Sequence, residues 1–358
     1  MERLEQLKSI ATALKDSEGS EITIDVTSLE EAIGKQEENQ SGLAIKVLTI
    51  FGGFLATISF IAFFIAAGLY DSAEGLLVFG SVFIVVSVLL NRFYNKLLIE
   101  TFSVTMYASG LALTGWGIAA MDWDVNMIPI TYIGVAGVVV FLTRSYILSF
   151  LSVLVVSGSL IALILNNEYF DLIHLYNAVC TITMTYLFLN EGKAISTNSR
   201  LSELYYPIRT GLVFSLIFGL IILGKKGFIP ITENLVWLSS IVMVLAVLYL
   251  IINILKILSV ESARSKALVL IPCGMILLTT VFSPAISGAI LILLLSFMVS
   301  YRTGMAIGVI SLIYFISQYY YDLNFSLLTK SIMLMSSGVL FLLLYYFTAK
   351  KMDTDEKL

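Results

Sequence analysis

The chain has 358 residues, of which 58% are hydrophobic and only 13% are charged, and its mean hydropathy is +0.95. These values exclude an ordinary soluble globular protein, in which about a quarter of the residues are charged. The net charge is −4 and no basic surface can be recognised, so we expect no nucleic-acid partner.

Residues 1–43 are polar and precede the first apolar run, so we expect no cleavable signal peptide. Five apolar residues of this segment recur at helical spacing: Leu4, Leu7, Ile10, Ala11 and Leu14. The spacing predicts an amphipathic helix, and a second short helix is predicted from Leu29 to about Glu38. We interpret 1–43 as a small cytoplasmic helical segment, which either lies on the membrane surface or docks a protein partner through its apolar stripe.

Ala44 to Leu90 form two apolar runs joined by an acidic link that contains Asp71 and Glu74. Each run has about 20 residues, enough for a helix to cross a hydrocarbon core of about 30 Å. Further apolar runs follow at 98–120, 127–143, 145–165, 172–189, 210–224, 235–255, 267–282, 285–300, 303–319 and 327–348. We therefore predict an all-α integral membrane protein, a polytopic bundle of about twelve transmembrane helices over 44–348, followed by a cytoplasmic polar tail at 349–358.

Lys and Arg residues support this count. If every run crosses, one side carries only Lys225, Lys226 and Lys330, and the other side carries the remaining cations of the membrane region. The positive-inside rule then predicts that both termini are cytoplasmic. The least certain division is at Ser283-Pro284, where 267–300 forms either two spans or one kinked helix, and the charge distribution favours two spans.

Acidic residues mark the predicted outer face. Asp122 and Asp124 flank a Trp, and Glu168, Asp171 and His174 fall on the same predicted side. Paired carboxylates can hold a divalent cation, so these five residues are a candidate outer-face ligand site. The alternative is that the carboxylates belong to solvated turns and that His174 forms an interfacial hydrogen bond.

Pro272 and Pro284 bracket a candidate broken-helix region that contains Cys273, Thr280 and Ser283. Transporters often build their solute sites from short, Pro-interrupted helices near the membrane midplane. The alternative is an irregular helix with no transport role.

Small residues form a second pattern. Gly304 and Gly308, followed by Ser311, make the clearest small-residue face, and Gly110, Thr114 and Gly117 make another. Such faces allow helices to approach closely, either within one chain or in a dimer. The sequence does not distinguish these two uses, so it leaves the oligomeric state open.

The sequence lacks the common motifs of nucleotide-binding and metal-dependent enzymes. The sequence has no G-x-x-x-x-G-K loop and no H-E-x-x-H motif, and its single histidine, His174, limits most hydrolytic mechanisms. Cys180 and Cys273 lie in apolar runs without neighbouring metal ligands. No ionisable residue lies near a predicted span centre, which disfavours proton-coupled transport. We expect no enzyme activity, cofactor, resident metal or catalytic residue.

Short pieces near both ends of the membrane region form a further pattern: Leu69–Leu76, Asn91-Arg92, Leu97–Glu100, Ser109–Gly117, Leu328–Ile332 and Gly338. On these pieces the chain resembles a group of uncharacterised bacterial multi-pass membrane proteins, which are classified as domains of unknown function. The resemblance implies a bacterial inner-membrane protein, and it brings no activity, cofactor or functional residue.

Two functional hypotheses follow. The first is a non-enzymatic scaffold or sensor of the envelope that acts through a partner, which the short loops and the apolar stripe of 1–43 favour. The alternative is a transporter or channel for a neutral or lipophilic solute, which the many spans and the Pro272 to Pro284 region favour. In both cases the lipid bilayer is the surrounding partner.

Overall fold

The computed structural model describes residues 72–93, 97–225, 227–232, 235–258, 262–281 and 283–322, with shorter pieces between 52 and 68 and between 328 and 342. The segment 1–43 and the tail 349–358 lie outside the described residues, so docking of a partner through the N-terminal stripe stays a prediction. The chain divides into two compact units, Met1–Trp123 and Asp124–Leu358.

Regular structure in the described residues is helical, as the apolar runs predict. The first unit contains α1 (Ala73–Phe93) and α2 (Leu97–Ala120). The second unit contains α3 (Met127–Leu142), α4 (Tyr146–Asn166), α5 (Leu172–Leu189), α6 (Glu191–Thr197), α7 (Ser199–Gly224), α8 (Val236–Ile257), α9 (Ala263–Thr279), α10 (Pro284–Met298) and α11 (Arg302–Asp322).

Six helices within the described ranges are long and apolar enough to cross a membrane: α1, α4, α5, Arg200–Gly224 of α7, α8 and α11. The apolar helices α3 and α10 are shorter, with 16 and 15 residues. The helical class is therefore confirmed and a membrane location is supported. The count of about twelve spans stays a prediction.

The segment between Asn190 and Arg209 is helical, and the sequence predicts a surface helix there, anchored by aromatic residues after Arg200. The structure adds that α7 begins at Ser199 and continues as one helix into the apolar run at 210–224. The side chain of Asn198 accepts a hydrogen bond from the Arg200 backbone N–H at 3.1 Å and caps the helix there. Arg200 Nη2 also donates to the carbonyls of Phe141 and Thr143, both at 2.6 Å, at the C-terminus of α3. These long-range contacts hold the first turns of α7 in place.

The helix is interrupted before Pro284, as the alternative of two spans over 267–300 requires. Helix α9 ends at Thr279 and α10 begins at Pro284, so 267–300 forms two helices. Pro284 suits the start of a helix because the first N–H has no intrahelical partner. Helix α9 continues through Pro272, however, and this corrects the expectation that both prolines mark breaks.

Close backbone contact joins α1 and α2. A Cβ atom added at Gly80 would lie 2.5 Å from Thr114 Oγ1 and 2.9 Å from the Gly110 carbonyl oxygen. Further along the same contact, Ser87 Oγ donates to the Ser103 carbonyl at 2.8 Å and Ser103 Oγ donates to the Ser87 carbonyl at 2.7 Å. Small residues therefore let the helices touch and let their hydroxyls pair.

In the second unit α7 is central, because it contacts α4, α5, α6, α10 and α11. The predicted Gly304/Gly308 face packs within the chain: an added Cβ at Gly308 would lie 3.0 Å from the Leu293 Cα atom in α10. Gly304, Gly308 and Ser311 are all buried. This face accordingly serves the α10–α11 contact.

We predict that Gly80→Ala lowers the free energy of unfolding by about 1–3 kcal/mol, because its methyl group meets backbone that cannot move aside. The measurement is unfolding of the purified protein in mixed detergent micelles. Gly134→Ala is the matched control, since an added Cβ there meets no heavy atom within 4 Å. Equal destabilisation by both substitutions would contradict the close α1–α2 contact.

Candidate functional site

The predicted outer-face carboxylates lie mostly in turns. Asp122 follows α2 with a φ of 55°, and Glu168 follows α4 with a φ of 58°. Both are exposed, and a left-handed residue at this place ends a helix. Asp122 belongs to the first unit and the other four candidates belong to the second. The turn geometry explains the conformation of these two residues without a ligand.

Asp124 is also part of a turn. Its Oδ1 accepts a hydrogen bond from the Asn126 backbone N–H at 2.7 Å. Asn126 in turn exchanges two amide hydrogen bonds with Asn167, each at 3.0 Å. The amide pair holds the start of α3 against the end of α4.

Asp171 and His174 contact different partners. Asp171 accepts hydrogen bonds from Thr232, from the backbone N–H at 3.0 Å and from the hydroxyl at 2.8 Å, and these bonds lower the pKa of Asp171. His174 Nδ1 lies 2.8 Å from Ser239 Oγ in α8. Within the described ranges, no three His, Cys, Asp or Glu side chains are placed to hold a metal ion.

A cavity of about 310 Å³ lies at the helix break before Pro284. Its walls come from the end of α7, the start of α8, the start of α10 and the end of α11. Leu223, Val236, Ala285 and Phe315 supply its apolar surface. The helix break predicted from the sequence therefore coincides with a space large enough for a small molecule.

Polar groups of several kinds line this cavity. Lys225 and Asp322 bring opposite charges, and Ser283 and Gln318 bring a hydroxyl and an amide. Gln318 Oε1 is buried and accepts no hydrogen bond within the described chain. Ser283 is the N-cap of α10, where its side chain makes no cap and its carbonyl accepts a hydrogen bond from the Ile286 N–H at 3.0 Å. The cavity therefore offers donors and acceptors to a bound solute.

A second polar feature is a stripe on the buried face of α5. His174, Asn177 and Thr181 are 3%, 0% and 0% exposed, and they recur at helical spacing. The His174 Nε2, Asn177 Oδ1 and Thr181 Oγ1 atoms are buried without a hydrogen-bond partner among the described residues. Each such atom costs about 1–3 kcal/mol when it stays unpaired. We call these three residues the α5 polar stripe.

Helices α7 and α8 pack on this stripe. The amide of Asn177 donates to the Ile173 carbonyl at 2.9 Å and to the Gly219 carbonyl of α7 at 3.3 Å. Gly219 has no side chain at a point where a Cβ would collide with Asn177 and Tyr176. On α8, Ser240 Oγ is buried without a partner in the described residues, next to Ser239.

Arg209 forms a third feature, at the opposite end of α5 and α7. Its side chain is 7% exposed, and Nη1 lies 3.2 Å from Glu191 Oε1. Its guanidinium carbon lies 4.0 to 5.9 Å from the centroids of four aromatic rings: Phe188, Tyr205, Tyr206 and Tyr301. We call this group the Arg209 cage. It links α5, α6, α7 and the residue before α11 through one buried cation.

Two further contacts surround the cage. Thr210 Oγ1 accepts a hydrogen bond from Tyr146 Oη at 2.8 Å and lies 3.1 Å from Tyr301 Oη. Burial raises the pKa of Glu191, and the charge of Arg209 opposes that rise. The ion pair therefore favours the charged form of the Glu191 carboxylate.

Sequence reasoning missed the last two features. It counts Arg209 only among the cations of the cytoplasmic side, although Tyr205 and Tyr206, four and three residues earlier on a helix, have the correct spacing to stack on it. The repeat of His174, Asn177, Thr181 and Thr185 was likewise visible as a polar line in an apolar run. Their burial required knowledge of which faces α7 and α8 cover.

Comparisons with known proteins support the resemblance seen in the sequence. Residues 42–351, most of the chain, match the model of a family described as a domain of unknown function, DUF4401. No curated protein and no solved structure matches the chain. The match confirms the predicted kind of family, and it assigns no role to any residue.

We predict that Arg209→Met lowers the free energy of unfolding by roughly 2 kcal/mol, because Glu191 then lies in a half-buried site without a counter-charge. Arg209→Met combined with Glu191→Gln is expected to recover at least half of that loss. The control is Glu203→Gln in the exposed Arg200–Glu203 pair, for which we expect a change below about 0.5 kcal/mol. Additive losses in the double variant would contradict the ion-pair interpretation.

Proposed function

Since the chain belongs to the DUF4401 family, a family of unknown function, we propose its function from its geometry: a membrane carrier for a small solute without net charge. The observation that carries the proposal is the cavity of about 310 Å³ in front of Pro284. An interrupted helix beside a cavity is how many carriers expose backbone groups to a solute inside a membrane protein.

The chemistry of the cavity favours a solute without net charge. Lys225 and Asp322 contribute one positive and one negative group to the lining, so a singly charged solute would meet attraction and repulsion together. Ser283 and Gln318 offer hydrogen bonds, and the first N–H groups of α10 favour the negative end of a dipole. Glycerol, or a zwitterion such as L-alanine, presents groups of this kind.

The proposed orientation follows from Lys and Arg. The cavity opens at the end of the second unit that carries Lys225, and the Arg209 cage lies at the end that also carries Lys193 and Arg200. By the positive-inside rule the cavity faces outward and the cage faces the cytoplasm, with both termini inside. A bacterial inner membrane is the location that fits this proposal.

We predict that one class of net-neutral compound raises the unfolding temperature of the protein in nanodiscs. A ligand at a hundred times its dissociation constant stabilises the folded state by about 2.7 kcal/mol. The probes are L-alanine and L-proline as zwitterions, glycerol as an uncharged polyol, and acetate and choline as singly charged compounds. A saturable shift is expected for zwitterions or for glycerol, and none for the charged pair.

The variants Gln318→Leu and Asp322→Asn are expected to abolish that shift, because both residues line the cavity. Asp124→Asn is the matched control, since Asp124 is exposed and bonded within its own turn. An unchanged shift in all three variants would remove the cavity as the binding site. The absence of any shift across the panel would argue against the carrier.

A further inference from the structure

A line of buried polar groups begins one helical turn from the cavity. Leu223 and Val236 line the cavity, while Gly219 lies four residues before Leu223 on α7 and Ser240 lies four residues after Val236 on α8. Four residues of helix advance by about 6 Å. Gly219 accepts a hydrogen bond from Asn177 of the α5 polar stripe, and Ser239, next to Ser240, lies 2.8 Å from His174 Nδ1.

The stripe continues to the other end of the bundle. Below Thr181, the same face of α5 carries Thr185 and Phe188, and both are buried. Phe188 is one of the rings of the Arg209 cage. From His174 to Phe188 the helix advances by about 21 Å, which is most of a hydrocarbon core of about 30 Å. One helix face therefore runs from the cavity region to the cage.

We propose that this face of α5 is the path by which the solute crosses, and that the Arg209 cage closes its inner end. The proposal rests on the carrier function above. Its stripe atoms, His174 Nε2, Asn177 Oδ1 and Thr181 Oγ1, form no hydrogen bond within the described chain, and a polar solute passing them forms those bonds. The opposite face of α5 is apolar and faces outward.

The contacts of Arg209 explain how the inner end of the path is closed. Arg209 is held by Glu191 in α6 and by Tyr301 next to α11, so movement of α6 or α11 away from α7 separates the cation from its partners. An ion pair with rings stacked on its cation is specific in geometry. Such a contact suits a closure with two discrete states.

Cysteine labelling tests the path without knowledge of the solute. The background replaces both native thiols, Cys180→Ala and Cys273→Ala, in the full chain reconstituted in liposomes. Single substitutions on the stripe, Asn177→Cys and Thr181→Cys, are compared with Val179→Cys and Ile182→Cys, whose native side chains are 54% and 61% exposed on the other face of α5. The probe is methyl methanethiosulfonate, a small thiol reagent without net charge.

The reagent attacks thiolates, which form in water and not in hydrocarbon. Expected labelling at Asn177→Cys and Thr181→Cys is at least about tenfold faster than at the two outward positions. Equal rates on both faces, or no reaction at the stripe while a Trp123→Cys control in an exposed turn reacts, would overturn the proposal.

A stability measurement distinguishes the path from a structural role. Thr181→Val removes an unpaired hydroxyl from a buried site, so its unfolding temperature is expected to equal or exceed that of the parent chain. A clear loss of stability would assign the hydroxyl to packing and count against the path. If zwitterions or glycerol bind at the cavity but the stripe does not label, this inference fails and the proposed function stands. Labelling of the stripe without binding at the cavity would show a stripe open to water but no solute site, and it would overturn the carrier together with the path that rests on it.

Discussion

Polar atoms inside an apolar bundle have no water to bond with, so they need hydrogen-bond partners within the protein. The packing of the second unit depends on how far its polar atoms find such partners. In the first unit Ser87 and Ser103 exchange hydrogen bonds across α1 and α2, where small residues bring the backbones together. The second unit pairs many of its polar groups in the same way, but among the described residues it leaves one atom each of His174, Asn177 and Thr181 without a hydrogen bond. Unlike Ser109 Oγ, an isolated unpaired atom of α2, these three follow one another on one helix face, and this makes the face a candidate path.

The central helix α7 contributes to both the cavity and the cage. Its last residue, Gly224, lines the cavity beside Lys225, and Arg209, fifteen residues earlier, lies among aromatic rings. Helix α7 contacts α4, α5, α6, α10 and α11. A shift of any of these helices therefore changes the packing of α7. An arginine suits the inner position better than a lysine, since a planar guanidinium stacks on rings while it pairs with a carboxylate.

Much of the helical pattern could be predicted from sequence, because apolar runs of membrane length determine where helices lie. The break before Pro284 and the packing use of Gly304 and Gly308 also follow from residue type alone. A surface helix after Arg200 is predicted as well, but its continuity with the apolar run that follows, as the single helix α7, could not be predicted. Burial of Arg209 likewise depends on Tyr301, which is remote in the chain. The spacing of the stripe residues is visible in the sequence. Only the packing of the helices shows that some of their polar atoms have no hydrogen-bond partner among the described residues.

The unpaired stripe also bears on how stable this bundle can be. Three buried atoms without partners among the described residues cost about 1–3 kcal/mol each, a sizeable share of the 5–15 kcal/mol by which proteins are stable. Valine at Thr181 would remove one of these atoms and would fill nearly the same volume. A chain selected for stability alone would carry such residues. The polar residues are explained if a passing solute forms hydrogen bonds with their unsatisfied groups. The closed state is then less stable, and the free-energy barrier to crossing is lower.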